Sequence, residues 1–465
     1  DWERARDAFQ ATLAESRDDP DALDGLGQAL WWLGDREAAI DHRRRAYAAY
    51  RRRGDAAHAA LLAVYLAGEH RIDGQEAAGN GWLARARRLL AGLEPTPAHG
   101  WLAVEEAKRA PDPYDAAAHA EAAMAIARRL GDVDIEVMAL SRLGLARVSQ
   151  GRIGEGFELL DEAMAAATGG EASDPLAIGD TCCTTLTACD RQSDFRRAAD
   201  WCRVVVDFSE RHRYTPVLAW CRAMYAGVLI TAGDWALAER ELEHGLKQAD
   251  RKARPLVLAR LADLRMREGR LDEAEQLLAD CSDHPAALEP LVRARLLAGD
   301  ARTAAALLER RLDACHGDEP VRADLLRLLA DVQLARDDAH GAAATATELL
   351  ELGQRLDRPD LVAAAELAAA RAGIAGNDMH ALDGLESAIA GFARLDMPLE
   401  EARARLVLAR VHAASGSPLA VVAARGACEA FERLGARRDA DEAAALLRTL
   451  GSSGRSSRPG AAGEL

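Results

Sequence analysis

A helix–turn–helix unit that returns along the chain constrains the fold more than any other feature of the sequence. Within residues 26–46 the apolar positions recur every three or four residues, as on one face of an α-helix, and Gly34-Asp35 interrupts them. A helix can end at Gly34, and Asp35 can cap the helix that follows. Gly27 and Ala39 are small where two helices would have to approach closely. The stretch therefore predicts two antiparallel helices joined by a tight turn.

The unit recurs at a nearly constant spacing. Similar turns are predicted near residues 34, 74, 112, 151, 194, 233, 269, 299, 337, 376 and 416. Their mean separation is about 38 residues, within the range of roughly 34 to 47 for helical-hairpin repeats. The step from 269 to 299 is the shortest, and we expect a truncated or kinked repeat there. Residues 2–13 fit the second helix of a repeat, so we expect its first helix to be missing or atypical.

Composition favours an all-α chain and narrows its partners. Ala, Leu, Arg and Glu favour helices, whereas aromatic residues make up only 4% of the chain, so we predict about ten helix pairs and no sheet.

The net charge of −16 argues against a duplex-DNA-binding surface and against a polybasic membrane anchor. No run of 18 apolar residues predicts a membrane span. Because no Cys-x-x-Cys pair occurs, we expect a reduced, cytoplasmic compartment.

Sequence motifs of catalysis are absent. Lys108, Lys247 and Lys252 are the only lysines and none follows a Gly, which excludes a Gly-Lys-(Ser/Thr) phosphate loop. No His precedes a Glu, and no Gly-x-Ser-x-Gly elbow occurs. We therefore predict neither an enzymatic activity nor a cofactor.

Five cysteines in the middle of the chain leave two interpretations open. Thiolates at Cys182, Cys183, Cys189, Cys202 and Cys221 could select zinc or copper. Cys also packs like a small apolar residue, which suits tight helical hairpins. Because no four ligands show a zinc-site spacing, we predict packing and no structural metal.

A basic run also has two interpretations. Residues 43–45 and 51–53 are all arginines on one second helix, where they could bind nucleic acid or an acidic partner. Such runs are more often a solvated face that pairs with neighbouring carboxylates. Since the chain carries a net charge of −16, we favour the solvated face.

The repeat resembles the tetratricopeptide pattern, Leu-Gly-x-Ala-(Leu/Tyr), then Gly-(Asp/Arg), then Ala, which residues 26–39 follow. Over residues 2–450 the chain further resembles the tetratricopeptide region of LuxR-type bacterial transcription regulators. Five segments carry that resemblance: 27–35, 80–86, 177–183, 200–202 and 225–229. The resemblance implies a right-handed α-α superhelix that senses an effector or a protein partner.

The last residues change in character. Residues 451–465 have the Gly- and Ser-rich composition of a flexible linker. The resemblance implies a helix-turn-helix domain after this linker, and that domain, absent from this chain, would make the only contacts with DNA. We therefore expect a solenoid at 1–450, a linker at 451–465, and a longer parent protein. The alternatives are a scaffold without a sensory role, or an accessory region of a nucleotide cyclase or NTPase.

The concave face of a helical solenoid is its usual binding surface. In tetratricopeptide arrays the first helices build most of that face, at positions between the packing residues. Carrying this spacing over predicts a groove for a protein or small-molecule effector, lined by Trp31, Trp32, Arg71, Trp101, Arg142, Thr187, Arg191, Trp220 and Met224. After residue 270 the first helices turn to Ala, Leu and Val, with fewer hydrogen-bonding groups, so we expect the groove chemistry to be concentrated in the N-terminal and central repeats. Alternatively, these side chains only pair with one another.

Overall fold

The computed structural model describes residues 2–72, 74–192, 194–212, 215–249, 253–315, 319–375 and 381–456. These residues contain twenty-four α-helices, one 3-10 helix at Pro285–Ala287, and no strand. The helices are α1 Trp2–Glu15, α2 Pro20–Trp32, α3 Arg36–Arg53, α4 Ala56–Ile72, α5 Glu76–Leu90, α6 Pro97–Arg109, α7 Pro113–Leu130, α8 Val133–Ser149, α9 Ile153–Gly169, α10 Pro175–Gln192, α11 Phe195–His212, α12 Thr215–Ala232, α13 Trp235–Gln248, α14 Arg254–Arg267, α15 Leu271–Ala279, α16 Leu288–Leu297, α17 Ala301–Ala314, α18 Glu319–Ala335, α19 Ala339–Arg355, α20 Pro359–Ala375, α21 Ala381–Arg394, α22 Pro398–Ala414, α23 Leu419–Leu434 and α24 Arg437–Ser456.

The all-α prediction is confirmed, and the described helices form eleven pairs from α2–α3 to α22–α23. Helix α1 precedes the pairs, as expected for a second helix without its partner. The predicted truncated repeat is also present, since α15 has 9 residues and α16 has 10. Ser193 and Gly376, which belong to two of the predicted turns, lie outside the described residues.

The turn chemistry of the first repeat is as predicted. Gly34 has a φ of 91°, and the N–H of Asp35 donates to Leu30 O, which closes the end of α2. The Asp35 carboxylate then accepts the N–H of Ala38 at 3.2 Å and caps α3. Two hydrogen bonds of Asp35, one with α2 and one with α3, therefore fix the reversal of the chain after Gly34.

Small residues let the two helices of a pair approach closely. A β-carbon on Gly144 in α8 would lie 2.8 Å from the carbonyl oxygen of Gly156 in α9. The reciprocal β-carbon on Gly156 would lie 2.7 Å from Gly144 O. Because both distances are too short for a real side chain, glycine is required on each side of this crossing.

The links between pairs use a second turn, at Arg-Leu-(Gly/Asp). Its third residue has a left-handed backbone, with φ of 67° at Gly131, 50° at Asp357, 53° at Asp396 and 79° at Gly435. Asp tolerates this conformation better than most residues because its short side chain bonds locally. The signature therefore terminates second helices.

The chain divides into two compact units. The first contains residues 1–188, 200–221 and 248–253, and the second contains 189–199, 222–247 and 254–465. In the first unit α4 contacts α6, and α6 contacts α8; in the second, successive contacts link α14, α16, α18, α20, α22 and α24. In these parts of the chain a first helix thus packs on the first helix of the next pair as well as on its own partner.

The predicted linker at 451–465 is described only in part. Helix α24 continues to Ser456, and residues 457–465 lie outside the described residues, so the division into solenoid and linker stays a prediction.

Among the described helices, none combines the length and the apolarity that a bilayer crossing requires.

Candidate functional site

A group of charged side chains lies on four first helices of the first unit. Arg71 is at the end of α4, Glu105 and Lys108 are in α6, Arg142 is in α8 and Asp180 is in α10. We call these five residues the charged lining. Arg71 bonds Glu105, 34 residues away, and Arg142 bonds Asp180, 38 residues away. These separations are one repeat, so equivalent positions on neighbouring first helices meet.

Glu105 is the centre of this group. Its carboxylate oxygen Oε1 accepts from Nε of Arg71 at 3.1 Å and from Nε of Arg109 at 3.1 Å. Its side chain is only 6% exposed. Burial alone raises the pKa of Glu105, but the charges of Lys108 and Arg71 outweigh burial and lower it. Glu105 is therefore held as a carboxylate.

Lys108 is the least satisfied member of the charged lining. Its Nζ lies 3.4 Å from Asp180 Oδ1 and 3.8 Å from Glu105 Oε2, and its side chain is 8% exposed. Within the described part of the chain Nζ makes no hydrogen bond, although an ammonium has three donors. Burial lowers the pKa of Lys108. The site thus contains a buried cation whose two carboxylate partners both lie at 3.4 Å or more.

Arg142 and Asp180 complete the lining. They form a close ion pair, and Arg142 Nε is buried without a hydrogen-bond partner among the described residues. Burial would raise the pKa of Asp180, yet the charges of Arg142 and Lys108 hold that pKa well below its usual range. Three cations, Arg71, Lys108 and Arg142, therefore share two carboxylates.

A second buried pair in this unit corrects our interpretation of the basic run. Arg43 is buried, pairs closely with Glu69, and lies 4.9 Å from the centre of the Tyr65 ring. The other five arginines of the run are exposed. The run is therefore a solvated face except at Arg43, where the helix turns toward α4.

The predicted groove residues have different environments. In the first unit, Trp32 is buried and stacks on Trp2 with ring centres 5.8 Å apart, whereas Trp31 is half-buried beneath the Arg36 guanidinium. Trp101 is buried with its ring edge-on to Tyr65. Burial of Trp32 and Trp101 assigns both rings mainly to packing.

The remaining predicted residues lie on α10 and α12. Thr187 donates to Cys183 O at 2.7 Å, and Trp220 is half-buried with an indole N–H that has no hydrogen-bond partner among the described residues. Arg191 and buried Met224 belong to the second unit. Of the nine predicted residues, the structure brings only Arg71 and Arg142 into the charged lining, and binding at all nine stays a prediction.

Charged side chains also occur on the first helices after residue 270, where we expected fewer hydrogen-bonding groups. On or next to its first helices the second unit carries buried or half-buried charges that form ion pairs: Glu289, Arg293, Asp324, Arg327, Arg358, Asp360, Glu400 and Arg403. Arg327 bonds Glu289 at 2.8 Å across 38 residues, the same one-repeat spacing as in the first unit. We missed them because each helix carries only a few charges among many alanines and leucines.

The cysteines are free thiols. Cys182, Cys189, Cys202 and Cys221 are buried, and Cys183 is half-buried. A hydrogen bond with Cys183, together with burial, raises the pKa of Cys221. In the described part of the chain no three His, Cys, Asp or Glu side chains are placed to hold a metal ion.

These features define the class of the protein: it is an all-α repeat protein built from consecutive helical pairs. No protein-family model matches the chain, and no curated protein matches it. Among solved structures it is similar to the APC/C hetero-tetramer Cut9-Hcn1, with a TM-score of 0.41 and 13% identity, covering 97% of this chain and 93% of that chain. A similarity of this size carries no information about function.

Proposed function

We propose that the first helices of the first unit bind an anionic group of an effector or protein partner, and that the chain is the sensory region of a LuxR-type regulator. Binding would control a DNA-binding domain outside this chain, in the cytoplasm, without catalysis. The observation that carries the binding proposal is Lys108, a buried ammonium whose nearest carboxylate oxygens lie at 3.4 Å and 3.8 Å. The regulator assignment rests on the sequence resemblance.

The charges of the lining support an anion rather than a cation as the ligand. Arg71, Lys108 and Arg142 outnumber Glu105 and Asp180 by one charge. An ion pair with good geometry brings nitrogen and oxygen to about 2.7–2.9 Å, which Lys108 does not reach. Burying such a lysine gives little net stability, so a structural role alone explains it poorly. A ligand carboxylate or phosphate would supply the missing partner.

The test uses the whole chain and three defined probes: a short polyglutamate peptide, citrate and inorganic phosphate. We expect calorimetry to detect binding of at least one, and Lys108→Met to weaken it roughly tenfold or more, because a charged hydrogen bond is lost. Lys247→Met is the matched control, since Lys247 is exposed on the second helix α13. Peptide binding without citrate binding would indicate a protein partner.

Two results would contradict the proposal. If none of the probes binds, or if Lys108→Met and Lys247→Met bind equally well, the charged lining is only a structural network. The groove assignment is tested separately in the parent protein. There, Arg142→Ala and Trp220→Ala variants that fold normally and respond to the effector like the wild type would refute it.

A further inference from the structure

Two segments of the second unit that are distant in sequence touch one another. Nη1 of Arg267, at the end of α14, lies 3.4 Å from Oε1 of Glu400, in the first turn of α22, across 133 residues. The turn between α12 and α13 also reaches the far end of the unit: a β-carbon on Gly233 would lie 2.6 Å from Cδ2 of Leu434 and 3.0 Å from Cγ of Pro398. Contacts therefore join hairpins that are not neighbours in the repeat.

Comparison with the other turn glycines shows that this contact is exceptional. Twelve glycines in the described residues have positive φ, and a β-carbon on nine of them would meet nothing within 4 Å. The other three are Gly233, Gly269 and Gly435, next to Leu434, Arg438 and Trp235 respectively. All three lie in this one interface, which is thus distinct from ordinary packing between successive repeats.

The interface is formed by turns and helix ends, and it combines the apolar side chains of Trp235, Leu434 and Pro398 with buried charges. Glu400 Oε2 and Asp263 Oδ1 are buried there without hydrogen-bond partners among the described residues. Unsatisfied buried carboxylate oxygens offset much of what an ion pair contributes. These unsatisfied oxygens lower the free energy that holds the contact closed, which is the direction that a two-state element requires.

We propose that α22–α24 form a reversible latch against the α12–α13 and α14–α15 turns. The surface formed by Gly233, Trp235, Arg267 and Gly269 is an interaction site whose partner is the chain's own last described hairpins. Opening the latch frees α22–α24 to move as one body and uncovers Arg267 for an acidic competitor of Glu400. The latch contains no residue of the charged lining, so it does not depend on the proposed ligand site.

Disulfide trapping tests whether the latch closes in solution. The β-carbon position of Gly269 lies 3.5 Å from Cβ of Arg438, within the range of about 3.5–4.5 Å for a disulfide. We expect Gly269→Cys with Arg438→Cys to cross-link rapidly with oxidised glutathione, with the 269–438 peptide identified by mass spectrometry. Gly299→Cys with Arg438→Cys is the matched control, because Gly299 has the same kind of turn, with φ of 76°, and open space around it.

Reversibility is tested by Gly233→Asp in the cross-linking pair. Asp337 occupies the corresponding turn with a φ of 59°, so this chain already tolerates aspartate there. At Gly233 a carboxylate would press on Leu434 and on the rigid ring of Pro398. We expect cross-linking to slow roughly tenfold or more, with helix content unchanged. Gly299→Asp, which has open space, should leave the rate unchanged.

Three results would overturn the latch. Equal rates for the 269–438 and 299–438 pairs would mean that the contact does not form in solution. Equal rates with and without Gly233→Asp would mean that it is not separable at this surface. Loss of helix content in Gly233→Asp but not in Gly299→Asp would make the contact part of the folded core rather than a latch.

Discussion

Replacing Glu105 by Gln should destabilise the first unit far more than the same change at its neighbour Glu106. Glu105 is the carboxylate that Arg71, Lys108 and Arg109 share, at distances from 3.1 to 3.8 Å. Gln keeps the shape and an acceptor oxygen but removes the charge. Breaking a buried ion pair on one side costs about 3–5 kcal/mol. Because Arg109 also has Glu76, we expect the lower end, about 3 kcal/mol.

The control is Glu106→Gln, at the neighbouring position. Glu106 pairs with Arg87, whose side chain is 54% exposed, and an exposed ion pair contributes less than about 1 kcal/mol to the free energy of unfolding. Urea unfolding followed by far-UV circular dichroism measures both variants, and hydrogen exchange in α4 and α6 assigns the loss to the first unit. Equal destabilisation by Glu105→Gln and Glu106→Gln would refute the reasoning that the lining is a buried network.

The destabilisation caused by Glu105→Gln should also decrease as the pH falls. The pKa of Glu105 is lowered in the folded chain, chiefly because Lys108 and Arg71 overcome the opposing effect of burial. A lowered carboxyl pKa contributes stability that is fully present above the unfolded pKa, about 4.3, and is lost as pH falls through the folded pKa. The difference between wild type and Glu105→Gln should therefore be constant near neutral pH and shrink below about pH 4.

Three further outcomes follow from the packing and charge. Gly144→Ala should cost about 1–3 kcal/mol in urea unfolding, because its β-carbon would lie 2.7 Å from Leu160 Cγ, whereas Gly154→Ala, with open space, should cost nothing. Cys182 and Cys221 are buried with raised pKa values, so a thiol reagent should label them only after unfolding; labelling at the rate of a free thiol would contradict their burial. The chain alone should show no sequence-dependent duplex-DNA binding in a mobility-shift assay at physiological salt, given its charge of −16.

The backbone of this protein was predictable because its signals are local. Gly34 and Asp35 fix a turn through bonds to residues at most five positions away, and such turns recur along the chain. The close crossing at Gly144 and Gly156 is likewise a matter of one small residue on each helix. Such interactions act within one hairpin, so the sequence pattern contains what is needed to place them.

The orientation of charged side chains was not predictable in the same way. Glu105 and Glu106 are adjacent and chemically identical, yet one is the centre of a buried network and the other pairs with an exposed arginine. Arg43 likewise differs from its neighbours only in facing Glu69. Each of these three residues has a partner on another helix, 19 to 34 residues away in the sequence. A pattern within one helix does not encode which charges on two helices meet.

The two units use the same kind of charged first-helix surface with different outcomes. In the second unit Arg327 has Glu289 on another first helix at 2.8 Å, and Arg267 has Asp263 on its own helix at 3.0 Å as well as Glu400 at 3.4 Å. In the first unit Lys108 remains at 3.4 Å or more from its carboxylates. An arginine with a carboxylate at 2.8 or 3.0 Å is satisfied within the protein, whereas a buried lysine with no carboxylate closer than 3.4 Å can gain binding free energy from an anionic ligand. This difference, rather than the repeat fold that both units share, is the physical reason for assigning ligand binding to the first unit and the latch to the second.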